Sequence, residues 1–182
     1  MIPVLGLGGE ARSGKNFVAS LVRDEFGFIP WAFANPIKFA VYSQRECPWS
    51  LNTLFYEEKP KELRERLQLF GTEMGRDIYG QQVWNKQTEA FIFLAENEMK
   101  AKGVVLSDIR FPDEADFVKS LGGIVLKVNR EGSGLSDGLE KHRTESLISQ
   151  IKFDGIIDNT QDVDQQYLLD QLRPYIQQLG VD

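Results

Sequence analysis

Residues Gly9–Lys15 read Gly-Glu-Ala-Arg-Ser-Gly-Lys, and their surroundings restrict how the amino-terminal third can fold. Ahead of them lies an apolar run, Ile2–Leu7, short enough for a buried strand. Behind them, Phe17-Val18-Ala19-Ser20-Leu21-Val22 has the spacing of a helix packed on a sheet. Glycines at the two ends let the backbone curl so that successive N–H groups converge on one oxyanion, and the helix N-terminus adds its dipole. Lys15 can then reach the terminal phosphates of a nucleoside triphosphate. Gly9, Ala11, Arg12, Ser13, Gly14 and Lys15 are therefore the candidate cradle. The plain alternative, a tight turn with a surface lysine, does not account for a strand before it and a helix after it. Asn16 stands where the general motif has Ser or Thr. Its amide oxygen is a passable but not ideal partner for magnesium, so Asn16 is a candidate ligand whose mode of contact stays open.

Further along, apolar runs that read as buried strands alternate with amphipathic segments. This is the pattern of an α/β fold, a parallel sheet of about five strands flanked by helices. The strands expected are Ile2–Leu7, Phe28–Phe33, Val104–Ser107, Ile124–Asn129 and Gly155–Ile157. The helices expected are Gly14–Glu25, Pro36–Gln44, Lys61–Gly75, Gln81–Lys102, Pro112–Leu121 and Val163–Leu179. The stretch 34–102 is too long for a connection and should form a helical excursion. The segment 131–138, Glu-Gly-Ser-Gly-Leu-Ser-Asp-Gly, has the composition of a mobile flap, and 130–146 is the expected lid. All of this fits one domain, 1–182.

With 27 acidic against 21 basic residues, the net charge is −6, and no segment gathers the cations that polymeric nucleic acid requires. The single cysteine, Cys47, excludes an internal disulfide and a cysteine-rich zinc site, and reads as a small apolar filler. No apolar stretch approaches a membrane span and no basic leader precedes the first strand, so the expectation is a soluble, cytoplasmic protein. Whether it forms a homodimer is left open.

Asp108 and Arg110 follow the third strand, at the carboxyl end where open α/β sheets hold their ligands. Asp108 is placed to order magnesium and Arg110 to grip a phosphate oxygen. An ion pair closing a strand end is the plainer reading, and the nearby phosphate loop weighs against it. Arg130 ends the fourth strand, and Lys141, His142 and Arg143 follow the flexible segment. Such arginines suit phosphoryl transfer, whose transition state spreads negative charge over several oxygens. His142 is not needed as a base, because a phosphomonoester with a second pKa of about 6 is already deprotonated at neutral pH. In the excursion, Leu63, Leu67 and Phe70 share a helical face and belong to a core. Gly71, Thr72, Glu73 and Arg76 are candidates to meet an acceptor, as are Lys38 and Trp84, the latter more often packing than base stacking.

Taken in order, these residues resemble one family, the bacteriophage deoxynucleoside monophosphate kinases. The shared features are Arg12-Ser13-Gly14-Lys15, then Ala34-x-Pro36-Ile37-Lys38, then Leu67-Gln68 through Gly71-Thr72-Glu73, with Trp84 beyond. They continue through Asp108-x-Arg110 with Glu114, Gly122-Gly123, Val128-x-Arg130 and His142-x-Thr144-Glu145, and end at Asp158-Asn159. Members commonly carry an acidic residue after the loop lysine, so Asn16 is a variation. The resemblance implies a three-layer P-loop kinase fold with a helical acceptor-binding insertion and a short lid. It implies that ATP, with Mg2+, donates its γ-phosphate to a deoxynucleoside monophosphate. In that reading Lys15 and the loop amides hold the donor, and Asp108 organises the metal. Arg110, Arg130 and Arg143 neutralise the moving charge. Lys38, Gly71, Thr72, Glu73, Arg76 and Trp84 form the acceptor side. Asn159 and Thr160 border the adenine, or alternatively cap the last helix. Two other readings stay open: a kinase for another small phosphorylated acceptor, of the dephospho-coenzyme A or phosphomevalonate type, and a nucleotide-binding regulator without catalysis.

Overall fold

The computed structural model describes residues 1–134, 147–160 and 164–181. They divide into two compact units, one of residues 1–32 and 91–182 and one of residues 33–90.

The first unit is built on a sheet of five strands: β1 (Val4–Gly8), β2 (Ile29–Trp31), β3 (Val104–Ile109), β4 (Ile124–Asn129) and β5 (Gly155–Asp158). Their order is β2-β3-β1-β4-β5, and every pair is parallel. A parallel strand at the centre is covered on both faces, which explains why β1 is a continuous apolar run buried throughout. Leu5 and Leu7 face one side. There they pack with Val18 and Val22 of α1 (Lys15–Phe26) and with Leu168 and Leu172 of the carboxyl-terminal helix α8 (Gln165–Gln178). Gly6 faces the other side, where a Cβ would lie 2.8 Å from Ile109 and 3.5 Å from Val118 of α7 (Pro112–Ser120). Helix, sheet and helix thus form three layers, as the sequence pattern leads one to expect.

β1 lies between β3 and β4, so the carboxyl ends of all three stand side by side. Open α/β sheets bind ligands at such a point, where the connection leaving β1 runs toward one edge of the sheet and that leaving the neighbouring β4 runs toward the other. β4 has the bounds expected from sequence, whereas β3 runs on to Ile109 and takes Asp108 into the strand. α8 is capped by Asp164, whose carboxylate accepts the Tyr167 N–H at 2.7 Å; the cap is therefore neither Asn159 nor Thr160.

The second unit is helical. It holds α2 (Ala34–Tyr42), α3 (Leu51–Phe55), α4 (Lys61–Leu69), a π-helical turn (Phe70–Arg76), α5 (Asp77–Tyr79) and the start of α6 (Val83–Asn97). Its core gathers Val41, Leu54 and Leu63, with Leu67 and Phe70 packed against them. The helix expected over Lys61–Gly75 keeps α-geometry only to Leu69. From there it widens, and the Asp77 N–H donates to the Thr72 carbonyl, five residues back. Two glycines and a tryptophan explain the change. The Trp84 indole N–H donates to the Gly71 carbonyl at 2.8 Å. Its ring also lies where a Cβ on Gly75 would come within 2.2 Å, so the indole occupies space that a side chain would fill. Single π-turns of this kind concentrate at functional sites. Among the described residues no helix is long and apolar enough to cross a membrane.

Candidate functional site

The loop between β1 and α1 is held in shape by its own backbone and by the strand ends beneath it. Gly9 has φ +130 and Gly14 φ +91, and Arg12 between them also takes a positive φ of 63, so the loop coils through left-handed space. At Gly9 a Cβ would meet the Val128 carbonyl oxygen at 2.4 Å, which leaves glycine as the residue that fits. Ser13 is fully buried. The Val18 N–H returns to the Gly14 carbonyl at 3.0 Å and starts α1.

Lys15 turns back into this loop. Its ammonium donates to the Gly9 carbonyl at 3.0 Å, to the Glu10 carbonyl at 2.5 Å and to Ser13 Oγ at 3.3 Å. Burial is the main influence on its pKa and lowers it to about 8. The Arg110 guanidinium pushes the same way, while the Asp108 and Glu10 carboxylates oppose both. Asp108, Arg110 and Glu10 therefore all lie close enough to act electrostatically on the Lys15 ammonium. Asp108 is half-buried at the end of β3, and Arg110 is exposed just beyond it.

Glu114 was legible in the sequence only as part of a family pattern, yet it anchors this strand end. Buried at 4% exposure, its Oε2 accepts the backbone N–H of Arg110 at 2.8 Å and of Phe111 at 3.1 Å. A charge-assisted pair of bonds fixes the turn from which Arg110 projects. Pro112 then opens α7, as its preset φ favours at a first helical position.

Arg130 is half-buried at the end of β4, and its carbonyl accepts the Ser133 N–H at 3.1 Å. The chain then meets the loop: the Gly134 N–H donates to the Ala11 carbonyl at 2.8 Å, and Ser133 Oγ donates to the Glu10 carboxylate at 3.4 Å. Asn159 is buried beneath the loop, its amide donating to the Ser13 carbonyl at 2.8 Å. Thr160 donates through its hydroxyl to the Asp158 carboxylate. Asn16 is exposed on the first turn of α1. Arg143, with Lys141 and His142, lies outside the described residues.

In the helical unit, Gly71, Thr72, Glu73 and Arg76 fall together on the π-turn, and Trp84 lies against it. Arg76 is buried at 9% exposure, unusual for an arginine and consistent with a guanidinium built into the unit. The Thr72 hydroxyl donates to the Gln68 carbonyl at 2.8 Å, and Glu73 is exposed. Lys38, on α2, donates to the Asn35 side chain at 3.1 Å and stands over the Phe55 ring at 4.7 Å from its centroid.

Among the described residues no cluster of three His, Cys, Asp or Glu could hold a metal by itself. Magnesium that arrives with a polyphosphate needs only one or two carboxylates, the remaining positions being phosphate oxygens and water. Asp108, near enough to the Lys15 ammonium to raise its pKa, has the chemistry for that single contact.

Known proteins resemble the chain in both sequence and fold. The chain is similar over 95% of its length to dephospho-CoA kinase from Campylobacter jejuni, covering 96% of that structure with a TM-score of 0.52 and 18% identity. Shikimate kinase from Bacteroides thetaiotaomicron superposes over 100% of both chains, with a TM-score of 0.52 and 11% identity. At these identities the likeness establishes a P-loop kinase fold and nothing about substrate. A relative of Acanthamoeba polyphaga mimivirus, named "Putative deoxynucleotide monophosphate kinase", is 30% identical over 183 aligned positions, covering 90% of this chain and 92% of the relative. The sequence model of the deoxynucleotide monophosphate kinases matches residues 49–168, a span that runs from the helical unit through β3, β4 and β5. With that match over most of its length and a relative 30% identical over 90% of it, the chain belongs to the deoxynucleotide monophosphate kinase family.

Proposed function

We propose that the protein transfers the γ-phosphate of ATP to a deoxynucleoside monophosphate, giving ADP and a deoxynucleoside diphosphate. The observation that carries this reading is the Lys15 ammonium held in a glycine-coiled loop, with Asp108 and Arg110 acting on it from the neighbouring strand end. Such an assembly suits a polyphosphate tail, and the family supplies the class of acceptor.

In this reading the loop amides and Lys15 hold the donor's β- and γ-phosphates, and Arg110 and Arg130 meet charge that moves during transfer. Arg143 is assigned the same task from the resemblance. Asp108 would hold the magnesium, with Asn16 as a secondary contact, and the bound ion would offset charge on the donor's phosphate oxygens. No side chain need remove a proton from the acceptor, whose phosphate is already ionised at neutral pH. In the helical unit, Arg76 takes the acceptor's phosphate, while Lys38, Thr72 and Glu73 bind the rest. Trp84 supports them through Gly71 and Gly75 rather than by stacking on a base, because its ring is already committed to the π-turn. Both substrates are cytoplasmic metabolites, so we place the enzyme there.

A coupled assay of ADP release, run over all deoxy- and ribonucleoside monophosphates and over dephospho-coenzyme A and phosphomevalonate, tests the assignment. Turnover with at least one deoxynucleotide well above every other acceptor is expected. Phosphorylation of dephospho-coenzyme A or phosphomevalonate alone would replace this substrate, and ATP binding without turnover on any acceptor would make the protein a non-catalytic nucleotide binder.

The lowered Lys15 pKa adds a pH signature. In the free enzyme the ammonium is lost as pH rises through about 8, so kcat/KM for ATP should fall by about tenfold per unit above that point. Bound phosphate favours the protonated form, so kcat should hold to higher pH than kcat/KM does. Identical profiles for the two parameters, flat to pH 10, would mean that Lys15 does not titrate where its surroundings place it.

A further inference from the structure

We propose that Asn159 is a positioning residue for the triphosphate, acting through the peptide bond between Ser13 and Gly14 rather than by touching the nucleotide. The proposal rests on the reading that the loop binds the donor's phosphates. Three observations support it. The Asn159 side chain is buried at 7% exposure, and its Nδ2 donates to the Ser13 carbonyl at 2.8 Å. A Cβ on Gly14 would come within 2.1 Å of the same nitrogen, so the amide is pressed against the loop where only glycine leaves room. The Asn159 backbone is itself fixed, its N–H donating to the Asn129 carbonyl at 2.8 Å where β4 and β5 end.

The consequence follows from peptide geometry. In a planar trans peptide the C=O and the following N–H point in opposite directions. A Ser13 carbonyl drawn down onto Asn159 therefore turns the Gly14 N–H away from Asn159, toward the side of the loop on which phosphate would bind. Were that peptide to rotate, a carbonyl oxygen would face the phosphate in place of a donor, and one attractive contact would become a repulsive one. A side chain that fixes the peptide's direction keeps a backbone donor preorganised, and preorganised donors are what an oxyanion site depends on.

The test uses inorganic tripolyphosphate as a probe, because it presents the phosphate tail without base, sugar or acceptor. Calorimetric titration of the full chain with magnesium tripolyphosphate should give an affinity about tenfold weaker for Asn159→Ala than for the unchanged protein. Asn159→Asp, isosteric but lacking the donor, should be weaker still. KM for ATP and for GTP should rise by the same factor, leaving the ATP:GTP ratio of kcat/KM and the KM of the monophosphate acceptor as they were. Thermal melting identifies a variant that does not fold, in which case Asn159→Ser, with a hydroxyl donor of shorter reach, carries the comparison. Tripolyphosphate affinity within about twofold of the parent in every folded variant overturns the proposal. So does a changed ATP:GTP ratio with tripolyphosphate binding intact, which would place Asn159 at the base. If the unchanged chain binds tripolyphosphate but phosphorylates no deoxynucleotide, the substrate assignment fails and the role of Asn159 stands.

Discussion

Replacing Lys15 with alanine is expected to cut turnover by about a thousandfold or more while shifting the melting temperature by only a few degrees. Charge stabilisation is the main resource available to phosphoryl transfer, since the acceptor needs no activation and the bond changes are otherwise simple. Loss of a neutral oxyanion donor alone costs an enzyme about a hundred- to a thousandfold, and Lys15 carries a positive charge in a half-buried position. The fold should tolerate the change because burial already works against the ammonium, as its lowered pKa records. What the variant forfeits in the resting protein is three hydrogen bonds, to the Gly9 and Glu10 carbonyls and to Ser13 Oγ. A coupled assay beside a thermal melt reads both quantities. Near-normal turnover in the variant would exclude the mechanism.

Gly14→Ala should be nearly as damaging, by a different route. The residue sits at φ +91, where an L side chain costs about 1–2 kcal/mol, and its new methyl would collide with Asn159 Nδ2 at 2.1 Å. The collision is relieved by swinging the Asn159 amide off the Ser13 carbonyl or by moving the loop, and either response disturbs the backbone donor that the amide aims. ATP affinity should fall by about a hundredfold or more, measured by direct titration. Gly122→Ala supplies the control. It also has a positive φ, of +75, but nothing lies within 4 Å of a Cβ there, so strain without collision should leave nucleotide affinity unchanged. The loss caused by Gly14→Ala should shrink in an Asn159→Ala background, where the colliding amide is gone; an undiminished loss there would show that backbone strain at Gly14, not the packing against Asn159, sets the effect.

Where the chain's chemistry depends on neighbours in sequence, it was legible in advance. A strand, a glycine-bounded loop and a helix follow one another from Val4 to Phe26, and local periodicity with glycine placement suffices to identify them. β4 was equally clear, because a mostly aliphatic, β-branched run between Gly123 and Arg130 has few alternatives. Sequence reading failed where a distant residue decides. Asn159 lies 146 positions from Ser13, and no local pattern reveals that its amide supports the loop. The π-turn depends on Trp84 reaching Gly71, 13 positions earlier, so a continuous α-helix was the natural expectation. α3 went unrecognised because five residues are too few to show a helical period. Its signal was Ser50, which accepts the Thr53 N–H at 3.1 Å as a helix cap.

The order of the strands also bears on how the protein is made. β1 emerges from the ribosome first, yet both of its hydrogen-bonding neighbours, β3 and β4, begin only at Val104 and Ile124. A nascent chain therefore exposes a buried strand long before its partners can pair with it, and long-range pairings of this kind are intrinsically slow to form. The turn after β1 packs against the Val128 carbonyl of β4 and the Asn159 amide beyond β5, so a fragment that ends before β4 lacks the supports that give this turn its shape.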